Sequence, residues 1–162
     1  MISKSLQSAI NEQINFELFS AYLYLSMSAH FETQNLSGFA NWMRVQYQEE
    51  TGHAMKFYKY MIERNGVVTL KAIAQPTTKF KTPADIFDQV LEHEQKVTSL
   101  IDKLYELALR EKDYAAQSFL QWFINEQVEE EKNATDIITM LKMIGDSPVS
   151  LMMVDRQLGV RK

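Results

Sequence analysis

The sequence lacks cysteine entirely and is poor in the residues that break helices. The absence of cysteine from all 162 residues excludes disulfides, thiolate metal sites and a cysteine nucleophile. The 5 glycines and 3 prolines are too few to separate many short strands, so long helices are favoured. No apolar run approaches the ~18 residues of a membrane span, and no basic-then-apolar leader opens the chain. We therefore expect a cytoplasmic protein that does not bind membranes.

The charge and composition are those of an ordinary globular protein. A hydrophobic content of 46% and a charged content of 23% argue against disorder. The formal net charge of −4 at pH 7 gives no support for nucleic-acid binding and favours a small cationic partner. The length predicts a single domain covering residues 1–162.

Hydrophobic periodicity and capping residues predict four long helices and a short fifth. Ser37, Thr82 and Ser147 are predicted N-caps, and Gly66 and Gly145 are predicted left-handed residues at helix ends. Pro83 and Pro148 would each occupy the first helical position after their caps. The predicted helices cover about residues 5–31, 37–65, 83 to the "REKD" segment, 114–144 and 148–158.

The lengths of the connections predict the topology. Short links make helices 1 and 2, and helices 3 and 4, antiparallel hairpins. The segment 66–82 could extend ~56 Å, longer than a 28-residue helix of about 42 Å, so it can return along the bundle. We predict an all-α four-helix bundle over about 5–145, with one long crossover between helices 2 and 3 and a short fifth helix. The "VVTL" run in the crossover would lie extended on the bundle or pair across a subunit contact.

A glutamate lies on the apolar stripe of each long helix. These residues are Glu17, Glu50, Glu94 and Glu130, and His53 follows Glu50 by one turn. Glu17 and His53 are equally distant in sequence from the first hairpin turn, and Glu94 and Glu130 from the second. Within each hairpin, the polar side chains are therefore predicted to be level.

Four buried carboxylates require compensating cations. A lone glutamate at such a position could extend its carboxylate to solvent. Four glutamates, one on the apolar stripe of each long helix, instead favour the binding of two divalent ions. Oxygen-rich ligation with one imidazole suits iron or manganese better than structural zinc. Glu50 and His53 form one Glu-x-x-His motif, whereas the corresponding positions of helix 4 are Gln127 and Glu130, so the two metals are expected to be unequal.

Several further polar residues lie beside these stripes. Glu49, Glu126 and Glu129 would form a solvated acidic face, a third, weaker cation site or an exit route. Tyr24, two turns from Glu17, would either pack in the core or act at the site, by supporting a carboxylate or by supplying an electron.

These motifs resemble those of the bacterial non-haem ferritins over essentially the whole chain. The resemblance rests on Glu17, Tyr24, "QEETGH", Glu94, "NEQVEEE" and the "GDSP" entry to the fifth helix. It implies a ferroxidase that uses O2 or H2O2 and stores iron as a ferric oxyhydroxide mineral inside a homo-oligomer of 24 subunits. A di-iron oxygenase or oxidase with an organic substrate is the alternative, and it would need an apolar pocket beside the metals.

The resemblance also implies a role for each candidate residue. Glu17, Glu50 and His53 would bind the first iron, and Glu50 would bridge to a second iron held by Glu94 and Glu130. Gln127 would orient the centre, and Tyr24 would lie next to the ligands. Glu49, Glu126, Glu129 and Glu130 would form the third iron site. Gly52 stands where haem-binding bacterioferritins carry a methionine ligand, so no haem is expected.

Overall fold

The computed structural model describes residues 1–162 and contains five α-helices and no β-strand. This confirms the predicted all-α class. No helix combines the length and apolar character needed to cross a membrane. The helices are α1 (Lys4–Thr33), α2 (Ser37–Glu63), α3 (Pro83–Arg110), α4 (Tyr114–Ile144) and α5 (Pro148–Leu158).

Two of the three predicted N-caps are confirmed. The Thr82 hydroxyl accepts a 3.1 Å hydrogen bond from the Asp85 amide, and the Asp85 carboxylate accepts one of 3.1 Å from the Thr82 amide. This reciprocal capping box begins α3. The Ser147 hydroxyl accepts from the Ser150 amide at 3.3 Å and begins α5.

The predicted cap of α2 is wrong. Ser37 lies inside the helix, and Leu36 at the cap position makes no side-chain hydrogen bond. The Gly38 and Phe39 amides instead donate to Oδ1 of Asp155 in α5, at 2.8 and 3.0 Å. A carboxylate at a helix N-terminus satisfies free amides and the positive end of the helix dipole, so α5 supplies the missing cap.

The left-handed residue after α2 is Asn65, with φ of 55°, and not Gly66 as predicted. The Gly66 amide donates to the Met61 carbonyl at 2.8 Å and closes the helix end. Gly145 does take the predicted left-handed conformation, with φ of 54°. Asn35 and Lys112, with φ of 57° and 54°, do the same in the two hairpin turns.

The chain divides into two compact units, and the first comprises residues 1–81 and 144–162. In it, α1 and α2 form the predicted antiparallel hairpin. Near the turn, the Phe31 and Phe39 rings stack with centroids 5.0 Å apart, and the Ser28 hydroxyl donates to the Ala40 carbonyl at 2.8 Å.

The crossover is extended against α1 in the same unit. The Asn11 side chain donates to the Val67 carbonyl and accepts from the Thr69 amide, both at 2.9 Å. Further along, the Ser26 hydroxyl donates to the Thr77 carbonyl at 2.7 Å, and the Phe80 ring lies 5.3 Å from that of His30. The crossover thus follows α1 toward its C-terminal end, as its length allowed.

The second unit, residues 82–143, is the antiparallel hairpin of α3 and α4. Near the turn, the Gln117 amide donates to the Ala108 carbonyl at 3.2 Å. Farther along, the Thr98 hydroxyl donates to the Glu131 carboxylate at 2.6 Å. These contacts fix the register that places the polar residues of this hairpin.

Candidate metal centre

In the first unit, two carboxylates and one imidazole meet between α1 and α2. Ligand atoms of Glu17, Glu50 and His53 all lie within 4.8 Å of one another. The three residues are 0%, 1% and 5% exposed, respectively. The antiparallel hairpin sets Glu17 level with one turn of α2, so this half of the predicted constellation is assembled.

Each carboxylate is held by a glutamine one turn earlier on its own helix. The Gln13 amide donates to Oε1 of Glu17 at 2.8 Å, and the Gln46 amide donates to Oε1 of Glu50 at 2.9 Å. His53 Nδ1 lies 3.4 Å from Oε2 of Glu50. The two glutamines were missed in the sequence, although a buried amide four residues before a buried glutamate was a readable signal.

The two carboxyl groups differ in their proton affinity. Burial raises the pKa of Glu17 well above its ordinary value, and repulsion from the Glu50 carboxylate raises it further. Burial also acts to raise the pKa of Glu50, but the hydrogen bond and charge of His53, together with hydrogen bonds to Gln46 and Glu17, outweigh it, so the pKa of Glu50 is lowered. Glu17 therefore holds a proton more tightly than Glu50 does.

One carboxylate oxygen of this cluster has no hydrogen-bond partner. Oε2 of Glu17 is buried and accepts no hydrogen bond. A buried carboxylate oxygen without a partner is unfavourable, and a divalent cation bound to it would remove the penalty. Oxygen donors with one imidazole nitrogen fit iron or manganese.

The second unit contributes its own buried polar set. Glu94, Gln127 and Glu130 are 1%, 3% and 4% exposed, respectively. The Gln127 amide donates to Oε2 of Glu94 at 3.1 Å and to the Glu94 carbonyl at 3.2 Å. Gln127 therefore orients the Glu94 carboxylate. Thr98, which lies 3.4 Å from the same amide and also donates to Glu131, was missed in the sequence.

Three of the four residues predicted for the outer site are less buried than the inner four glutamates, and the fourth, Glu130, is one of those four. Glu49 and Glu126 are half-buried, and Glu129 is exposed. The Glu49 carboxylate forms an ion pair with the Arg161 guanidinium, a contact missed in the sequence. Tyr24 is fully buried on α1.

Known proteins match this chain over nearly its whole length. A family model described as a ferritin-like domain matches residues 7–144. The bacterial non-heme ferritin of Bacteroides fragilis (strain 638R) is 47% identical over 161 residues, which cover 99% of this chain and 100% of the relative. The bacterial non-heme ferritin of Staphylococcus aureus (strain USA300) is 38% identical, with 99% and 97% covered.

Solved structures agree with the sequence relatives. An open-pore ferritin from the archaeon Archaeoglobus fulgidus matches with a TM-score of 0.99 and 47% identity, over 100% of both chains. A form of that ferritin engineered to be closed also gives a TM-score of 0.99 and 47% identity, over 100% of this chain and 99% of the other. The predicted ferritin-like bundle with a fifth helix is thus confirmed. Fold and sequence together establish that this chain belongs to the ferritin family.

Proposed function

We propose that this protein stores and detoxifies iron by oxidising Fe(II) and retaining the product as a ferric oxyhydroxide mineral. The observation that carries the proposal is the buried cluster of Glu17, Glu50 and His53, whose ligand atoms lie within 4.8 Å of one another. Membership of the ferritin family and the donor chemistry support iron as the substrate.

In this proposal, residues 1–162 act as one ferritin-like domain with a di-iron ferroxidase centre. Glu17, Glu50 and His53 bind the first Fe(II), and Glu50 bridges to a second Fe(II) bound by Glu94 and Glu130. Two metals sharing a carboxylate lie about 3.5 to 4 Å apart in such centres. Gln127 contributes by holding the Glu94 carboxylate in place, which its 3.1 Å hydrogen bond supports.

The redox step takes one electron from each iron. Two Fe(II) and one O2 with two protons give two Fe(III) and H2O2. With H2O2 as the oxidant, two Fe(II) and two protons give two Fe(III) and two waters. Tyr24 is proposed to support the centre or supply a further electron, for which its complete burial on α1 is suitable.

A weaker third iron site is proposed at Glu49, Glu126, Glu129 and Glu130, on the route by which ferric ions leave the centre. Partial exposure of Glu49 and Glu126 supports this role because exposed carboxylates bind cations more weakly and exchange them faster. The proposed centre holds iron as its substrate and contains no haem.

We propose a cytoplasmic homo-oligomer of 24 subunits. Helix α5 supports association because it exposes Val149, Met152 and Met153, which are 71%, 58% and 67% exposed, respectively. Apolar surfaces of this kind are usually covered by another protein. Analytical ultracentrifugation should give a particle of about 24 subunits, and a stable monomer would contradict the assembly.

Anaerobic loading with Fe(II), followed by air, tests the oxidation. Wild-type protein should consume O2 rapidly and form ferric iron, which can be followed by absorbance. Glu50→Ala and His53→Ala should each slow oxidation at least tenfold because they remove a ligand. The matched control is Glu63→Gln, an exposed carboxylate on the same helix, which should retain the wild-type rate.

Unchanged oxidation rates in both ligand variants would refute the proposed centre. O2 consumption that depends on an added organic substrate, instead of on Fe(II), would indicate the alternative oxygenase activity. Melting in the presence of Zn(II) provides a redox-independent check, since a ligand that binds the folded state raises its melting temperature.

A further inference from the structure

The side chain of Arg161 occupies a position that its sequence context did not suggest. Its guanidinium lies beyond the end of α5 and forms an ion pair with Glu49, a proposed ligand of the outer iron site. It also donates to Oε1 of Gln46 at 2.9 Å and lies 4.4 Å above the Trp42 ring. One cation therefore contacts three residues of α2.

The backbone fixes this arrangement as well. The Asn41 side-chain amide donates to the Arg161 carbonyl at 3.0 Å, and Asp155 of α5 caps the first turn of α2. The Arg161 side chain is 21% exposed, compared with 39% for its partner Glu49. A guanidinium held by a hydrogen bond, an ion pair and an aromatic face is better ordered than a typical surface arginine.

We propose that the Arg161 guanidinium remains paired with the Glu49 carboxylate until a metal ion that binds at the outer site displaces it. The proposal rests on the proposed function, because Glu49 serves there as an outer iron ligand. A metal ion and a guanidinium compete for the same carboxylate oxygens and repel each other. Arg161 thus lowers the affinity of the outer site and favours onward movement of iron.

Displacement of Arg161 would also affect Glu50 at the inner site. Gln46 accepts from Arg161 with its oxygen and donates to Glu50 with its amide, so the guanidinium sets which way the amide points. When Arg161 leaves, Gln46 loses a partner that orients it. Arg161 is therefore a positioning residue, acting on Glu50 through Gln46.

The test is a titration with Zn(II), a redox-silent probe that binds oxygen and nitrogen ligands. All proteins carry Trp122→Phe, so that Trp42 is the only tryptophan. Calorimetry gives the affinity of the third equivalent, and fluorescence reports whether the guanidinium leaves the Trp42 ring. Arg161→Gln should bind the third Zn(II) about fivefold more tightly, the effect expected for loss of a partly exposed competing ion pair.

Two variants separate charge from structure. Arg161→Lys retains a competing charge and should keep the third Zn(II) dissociation constant within about twofold of the parent protein. Lys162→Gln removes the adjacent exposed charge and should also leave it unchanged. Fluorescence should change at the third equivalent in the parent protein and not in Arg161→Gln.

Equal third-site affinity in the parent protein and Arg161→Gln would overturn the inference, as would an equally large effect of Lys162→Gln. If Arg161→Gln does not fold, the parent protein still provides a test. Constant Trp42 fluorescence at the third equivalent of Zn(II) would overturn the inference. If the parent protein still oxidises Fe(II) at its normal rate, only this inference fails. If it binds neither Fe(II) nor Zn(II) at the inner site, the proposed function fails as well.

Discussion

Replacing Glu17 with glutamine should stabilise the metal-free protein. Glu17 is fully buried, and its Oε2 accepts no hydrogen bond. Glutamine has nearly the same shape and no charge, so Glu17→Gln removes both the desolvation of the carboxylate and its repulsion by Glu50. Glutamine keeps a polar atom at the Oε2 position but carries no charge, and its NH2 group is a donor where Glu50 offers an acceptor, so the gain at neutral pH should be about 1 to 3 kcal/mol.

The pH dependence identifies the carboxylate as the cause. Because burial raises the pKa of Glu17 in the folded state, the folded protein binds this proton more tightly than the unfolded chain, whose glutamates have pKa values of about 4.3. Below that pH both states are protonated, and the variant should gain little. As the pH rises from about 4.3 through the raised folded pKa, the wild type loses stability relative to Glu17→Gln. The lowered pKa of Glu50 acts oppositely, but its larger lowering causes, His53 and Gln46, are present in both proteins.

Thermal melting in EDTA, with guanidinium added if needed, measures the effect. For a chain of this size the expected gain in melting temperature is about 2 to 12 °C at pH 7.5. Excess Zn(II) should reverse the order, because the carboxylate is a metal ligand and the amide is a poor one. The exposed Glu106→Gln on α3 is the control and should show neither effect. No gain at pH 7.5, or an equal gain at pH 4, would refute the reasoning.

Three stability predictions, each checked by thermal melting, follow from the backbone. A Cβ at Gly38 would lie 1.6 Å from the Asp155 carbonyl oxygen, whereas one at Gly52 would meet nothing within 4 Å. Gly38→Ala should therefore destabilise by more than about 2 kcal/mol and Gly52→Ala should stabilise by up to ~1 kcal/mol; equal effects would contradict this. Lys112→Gly should stabilise by about 1 kcal/mol because the left-handed conformation strains a residue with a Cβ. Asn11→Ala should destabilise by about 1 to 3 kcal/mol, with faster hydrogen exchange at the Thr69 amide, since both ends of the Asn11 side chain hold the crossover.

Local chemistry made much of the fold predictable from the sequence. Helix α4 begins and ends where its periodicity indicates, and the Thr82 capping box lies within four consecutive residues. The α2 cap was not predictable, because Asp155 is 117 positions from the amide that it caps. Likewise, asparagine is the non-glycine residue that best tolerates the left-handed region, so Asn65 could take the role expected of Gly66.

The site was predictable to the extent that it follows helical periodicity. Glu17 and Glu50 could be placed on buried stripes, and their distances in sequence from the hairpin turn gave their positions along the helix axes. Arg161 could not be found in this way because it lies outside any helix and reaches α2 only when α5 docks. Periodicity identifies residues that face a core, but it carries no information about contacts made by residues that follow the last helix.

The pattern of side-chain amides explains how the proposed centre can bind iron without trapping it. Gln13 and Gln46 each donate one hydrogen bond to a carboxylate, which orients the ligand without adding charge. Gln127 does the same for Glu94, in a position where the Glu-x-x-His pattern would supply another anion. An amide at the Gln127 position in place of a carboxylate removes one unit of negative charge and weakens the attraction for a trivalent product more than for a divalent substrate. In the proposed centre, amides that orient the carboxylates would therefore favour the exit of Fe(III) after oxidation, as the proposed storage function requires.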